Sequence, residues 1–259
     1  MSGALIDYAR AGARLDDIPV FDAHAHVGGR TMLDDPPVDV QVAEMERLGI
    51  DVAAVSSARA LAGDIERGND EVADAIRRFP GRFLGYAHVS GNYPETMIGE
   101  LERCFALDGF RGIKLYQVGP AYDDPVFDPV WAFAAERGAP VLAHTWGGDL
   151  TGFDRAAEQH PTVACLAGHT GSGFAYQPYI EAALRAPNLY LDLTYSREHT
   201  NMIEHIVERV GAERIVWGSD APCFSMSQQL AKLLFARIPD DAKRKIIYDN
   251  AARLFKLSA

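Results

Sequence analysis

From residue 20 onward the chain alternates short apolar runs with stretches of helical spacing, and no other feature limits its folding so strongly. The runs are Val20–Gly28, Ile50–Ser56, Phe83–Val89, Phe110–Tyr116, Pro140–Thr145, Thr162–His169, Leu189–Thr194 and Arg214–Ser219. Between them lie helical patterns: Val40–Leu48 closed by Gly49, Asn69–Phe79 stopped by Pro80, Pro94–Leu107, Pro125–Arg137 ended by Gly138, Phe153–Gln159, Tyr176–Arg185 and Asn201–Val210. Nearly continuous apolar strands are those of a parallel sheet buried on both faces, because each crossover lays a helix on the sheet. About eight strand–helix units in a chain of 259 residues predict one α/β domain over residues 1–259, a (β/α)8 TIM barrel. A helical lead-in before residue 20 and a helical tail from Met226 would extend it.

Composition narrows the partners. Hydrophobic residues at 48% and charged residues at 24% suit a globular chain, and a net charge of −11 disfavours nucleic acid and anionic membranes, which select basic surfaces. A small-molecule substrate is the expected partner. Cys104, Cys165 and Cys223 are too scattered for a disulfide framework or a cysteine-rich zinc module, and the charged first nineteen residues resemble neither a signal peptide nor a membrane span. A reducing, cytoplasmic setting is expected.

The first run carries His24 and His26. Side chains two apart on a strand point to the same side, so these imidazoles converge as metal ligands do. Lys114, His144, His169 and Asp220 stand at the C-terminal ends of four further runs. In a TIM barrel those ends gather at one face, where the loops build the active site.

With those positions in view, the chain resembles the amidohydrolase superfamily, in its amidohydrolase-related branch that includes the aminocarboxymuconate-semialdehyde decarboxylase type. The resemblance rests on Asp22-Ala-His24-Ala-His26, Gly112-Ile-Lys-Leu115, Val141-Leu-Ala-His144, Ala167-Gly-His169, Gly218-Ser-Asp220 and the ending Asp249-Asn-Ala-Ala-Arg-Leu-Phe255. It implies that His24, His26, His144 and Asp220 hold a divalent metal, most often zinc, with manganese, nickel, iron or cobalt also compatible. One metal is expected over two; a second would require a carboxylated Lys114, with His169 as a further ligand. Asp220 and His169 are the implied catalytic groups.

The first functional expectation is a hydrolase in which metal-activated water attacks a lactone, amide or ester of a small carboxylated molecule. The alternative within the same branch is a non-oxidative decarboxylase of an aromatic or unsaturated carboxylic acid, with Asp220 protonating the carbon. A third reading, from another class, is a non-catalytic barrel that binds a metabolite or a partner chain. Tyr116, Trp146 and Tyr195 follow their strands and are candidates to line the substrate pocket; Arg30, Arg59 and Arg197 are candidates to hold a carboxylate. An uncarboxylated Lys114 would pair with Asp220 or with the substrate, and Asp22 would orient a ligand imidazole. Short loops leave the mouth open, which suggests a homodimer with the neighbour as a lid. His88 fits none of these roles.

Overall fold

The computed structural model describes residues 4–28, 36–116, 118–194 and 200–257. Eight parallel strands run in sequence order through one sheet: β1 Phe21–Val27, β2 Val52–Ser57, β3 Phe83–His88, β4 Phe110–Leu115, β5 Val141–His144, β6 Cys165–Gly168, β7 Leu189–Asp192 and β8 Ile215–Val216. The helices are α1 Leu5–Ala11, α2 Val38–Leu48, α3 Ala58–Leu61, α4 Ile65–Arg78, α5 Pro94–Phe105, α6 Asp128–Arg137, α7 Phe153–Gln159, α8 Gln177–Arg185, α9 Met202–Val210, α10 Met226–Phe235, α11 Asp240–Arg244 and α12 Asn250–Leu254. A π-helical turn, Lys245–Asp249, joins the last two. This is the expected TIM barrel with helical extensions at both ends.

Of the elements whose bounds differ from expectation, two show the physical reason plainly. The fourth helix begins four residues early because Gly68, with no side chain, lets it pack on the backbone of Ala60 in α3. The last strand is cut to two residues because the chain beyond it turns to close the barrel. There Trp217 N–H bonds the Ile246 carbonyl at 3.0 Å, and Ser219 and Asp220 both donate to the His24 carbonyl, at 3.1 and 2.7 Å. Ala23 N–H to Trp217 O at 2.9 Å and His26 N–H to Ala221 O at 2.6 Å complete the seam between β1 and the segment after β8.

The barrel interior is packed in layers. Phe21, Ala23, Ala54, Tyr86, Leu142, Leu166 and Val216 fill its lower part, and Phe255, just past α12, plugs the bottom 5.1 Å from the Phe21 ring and 5.4 Å from Tyr86. A larger apolar shell between strands and helices contains Met45, Leu101, Trp131 and Trp217. The N-terminal end of the barrel is thereby sealed and the C-terminal end left for chemistry. The three cysteines are free thiols, and no helix among the described residues is long and apolar enough to cross a membrane.

Candidate metal centre and active site

Strand alternation carries the interior positions upward from the apolar layers to a polar one at the C-terminal face: His26 and Ser56 in register on β1 and β2, His88 and Lys114 in register on β3 and β4, then His144 and Asp192. Two further groups enter from just past their strands. His169 and Asp220 both have left-handed backbones, at φ 63° and 58°, which turn the chain back over the barrel axis. The seam that closes the barrel also joins Asp220 to His24 through the backbone, so residues 196 positions apart in sequence meet by construction.

His24 is fully buried. Its Nδ1–H donates to Asp192 Oδ2 at 2.6 Å, while Asp192 Oδ1 accepts from the amide and hydroxyl of Thr194. That fixes the tautomer and leaves Nε2 as a bare lone pair, which accepts from Lys114 Nζ at 2.8 Å. His26 is oriented by Ser56 Oγ, 2.9 Å from Nδ1, and its Nε2 lies 2.9 Å from Asp220 Oδ1. His169 Nε2 and His144 Nδ1 share a hydrogen bond of 3.0 Å. Tyr122 anchors the His144 carbonyl, Trp146 lies parallel to its ring at 6.1 Å, and Tyr116 stands 4.7 Å from it.

His24, His169 and Asp220 each offer one donor atom within 4.8 Å of the others, and all three are buried. Their electrostatics suit a cation. Burial pushes His24 well below the usual imidazole range, His144 to about 2 and His169 to about 3, so these rings are neutral with lone pairs to give. Burial would raise the Asp220 carboxyl, but the hydrogen bond from His26 outweighs it and holds the group ionised. Two imidazoles and a carboxylate in so small a space form a donor set that fits a divalent metal.

Several expected placements are modified. The donors that meet are those of His24, His169 and Asp220, the left-handed turn at His169 bringing its ring 5.0 Å from that of His24, while the expected His26 and His144 each lie one hydrogen bond from a member of that trio. Lys114 takes His24 in place of Asp220 as its hydrogen-bond partner; burial lowers its amine to about 8. Asp22 orients no imidazole. Its carboxylate accepts from the backbone amides of Ser219 and His24 and from the Ser219 hydroxyl, so it braces the seam. The imidazole-orienting carboxylate is Asp192, which the sequence reading missed; the signal was an acid closing the strongly apolar run Leu189–Asp192. Arg59 sits against Glu71 at 2.6 Å, with its guanidinium already matched by a carboxylate of the chain. Arg30, Tyr195 and Arg197 lie outside the described residues.

Comparison with known proteins corrects the functional expectation. The chain is 26% identical over 255 residues to the gamma-resorcylate decarboxylase of Polaromonas sp. strain JS666, an alignment covering 74% of this chain and 76% of that one. Among solved structures, 2,6-dihydroxybenzoate decarboxylase complexed with 2,6-dihydroxybenzoate superposes with a TM-score of 0.77 at 19% identity, covering 93% of this chain and 99% of that one. The Polaromonas dihydroxybenzoic acid decarboxylase, with bound manganese and 2-nitroresorcinol, gives 0.72 at 20% identity, covering 93% and 97%. These relatives release carbon dioxide, so the expectation of hydrolysis by metal-activated water is overturned; the metal in the last of them is manganese and not zinc. The amidohydrolase family profile matches residues 21–257, and the chain belongs to that family.

Proposed function

We propose that this protein is a metal-dependent, non-oxidative decarboxylase of a hydroxylated aromatic carboxylic acid. The observation that carries this reading is the decarboxylase activity of a curated relative aligned along three quarters of the chain. A buried, neutral-imidazole and carboxylate centre at the barrel mouth accords with it.

His24, His169 and Asp220 would hold a divalent metal, with His26 and His144, each one hydrogen bond away, completing the set. When bound, the metal supplies positive charge that orients the acid and stabilises the negative charge developing on its oxygens. Asp192 keeps the His24 ring turned so that Nε2 faces the centre. Lys114, which donates to that same lone pair, is displaced toward the substrate and binds its carboxylate, a role that the Glu71-paired Arg59 does not take. Tyr116 and Trp146, packed around His144, wall the aromatic ring; Trp146 is 45% exposed and so open to a ligand at the mouth.

The reaction breaks the bond between the ring carbon and the carboxylate. The electron pair stays on the ring carbon, carbon dioxide departs, and a proton takes its place. Asp220 delivers that proton, with His169 beside it. The free site holds Asp220 ionised, so it first takes up a proton from solvent; a carboxyl of low pKa then transfers it to carbon with a large driving force and returns to the carboxylate.

The test is manganese-loaded protein incubated with 2,6-dihydroxybenzoate and with 5-carboxyvanillate, following carbon dioxide and the decarboxylated phenol. Stoichiometric release from either supports the proposal; absence of release from both refutes it.

A further inference from the structure

One buried titratable group at the mouth has no part in the mechanism above. His88 ends β3 in register with Lys114, and in strand phase with Tyr86, whose hydroxyl crosses the barrel interior to the Ala23 carbonyl at 2.8 Å. Residues two apart on a strand face the same way, so the His88 ring enters the barrel one layer above Tyr86, at the level of Ser56 and Lys114.

The residue is held unusually firmly. Its N–H donates to Asn69 Oδ1 at 2.9 Å and its carbonyl accepts from Asn69 Nδ2 at 3.0 Å, so one α4 side chain clamps both backbone groups. Asn69 is in turn fixed by Glu100 on α5, which pairs with Arg103. In the side chain, Nδ1 lies 3.0 Å from the Lys114 carbonyl. A carbonyl only accepts, so the proton is on Nδ1 and the neutral ring presents Nε2 as an acceptor. Burial pushes the imidazole down to about 4, with the Lys114 carbonyl opposing and the Lys114 ammonium adding to the effect, in keeping with that neutral form. Among the described residues no side chain or backbone group bonds Nε2, and this atom is not one of the sealed, unsatisfied ones, so in a residue only 3% exposed it keeps access to the space at the barrel mouth. A rigid acceptor that opens on the space inside a ring of donors and ligands is placed to take a hydrogen bond from whatever fills that space, and it is left unmet when a ligand displaces water without supplying a donor.

We propose that His88 is a specificity-determining residue whose Nε2 accepts a hydrogen bond from a ring hydroxyl of the aromatic acid. The inference rests on the decarboxylase reading for the class of ligand and adds what selects within it. A phenol is the complementary group, a donor on a flat ring held by its carboxylate near Lys114. An acid without the hydroxyl leaves the acceptor unmet, and discrimination follows from that loss.

The experiment measures binding by calorimetry to manganese-loaded protein, with 2,6-dihydroxybenzoate and benzoate as probes, in wild type, His88→Asn and His88→Gln. Asn keeps a donor near the position of Nδ1 and so retains the bond to the Lys114 carbonyl, but ends short of Nε2; Gln carries an amide oxygen out to that position. Circular dichroism and metal content verify that each variant is folded and loaded. Wild type is expected to prefer the dihydroxy acid about 10-fold or more, Asn to lose that preference and Gln to keep part of it. An Asn variant that keeps the full preference overturns the inference and leaves the decarboxylase reading intact. His88-dependent binding without carbon dioxide release overturns the decarboxylase reading and sustains the inference. A wild type that binds neither probe, or both alike, overturns the inference outright.

Discussion

Replacing Asp192 by Asn tests the architecture of the metal centre with almost no change in shape. In the native protein Oδ1 accepts from two Thr194 donors and Oδ2 accepts from His24 Nδ1–H, so every contact of the carboxylate is an accepted bond. An amide has one oxygen. If that oxygen faces Thr194, the amide NH2 meets the His24 N–H donor to donor; if it faces His24, the clash moves to Thr194. Both groups are fully buried, so no water relieves the mismatch. Loss of a charge-assisted bond with a donor left unsatisfied costs about 1–3 kcal/mol. The ring then either flips, offering the wrong nitrogen, or stays with a less basic Nε2, and either change weakens metal binding about 10–100-fold. Competition of manganese and zinc against a chromophoric chelator measures the affinity directly, and urea unfolding of the metal-free protein measures the cost to the fold. Affinity within about twofold of wild type would refute the claim that Asp192 orients His24, whatever happened to stability.

Gly218→Ala should disturb the same ring from the other side: a Cβ there would lie 2.6 Å from His24 Cβ and from Thr194 Oγ1, and a loss of about 1–3 kcal/mol in urea unfolding, together with weaker metal binding, is expected. Phe255→Ala should remove the plug of the lower barrel and cost about 3–5 kcal/mol, while metal stoichiometry per folded chain stays unchanged. The Lys114 amine falls from 10.5 unfolded to about 8 folded, so the folded state binds its proton less tightly and the penalty for burying the cation fades as pH rises through that window. Metal-free wild type should therefore gain stability relative to Lys114→Met between pH 8 and 10.5, and a difference that stays flat with pH would contradict the buried ammonium.

The alternation of apolar runs and helical spacing was enough to determine the barrel, because parallel strands buried on both faces and linked by helices have few other ways to close. The positions of His24, His26, Lys114, His144, His169 and Asp220 at strand ends were legible for the same reason: strand order and polarity place those ends on one face. Hydrolysis was the wrong choice between two chemistries that use one set of metal-capable residues, since the motif records ligand types and not what becomes of the substrate. What the sequence could not carry was pairing. That Asp192, not Asp22, turns the His24 ring depends on β7 ending beside β1 across the interior, and that Lys114 meets His24 depends on the layer the two share. That His169 meets His24 and Asp220 follows from a left-handed residue after β6. Periodicity fixes which face a side chain occupies; only barrel closure, joining β1 to the segment after β8 through the His24 carbonyl, decides which side chains on that face touch.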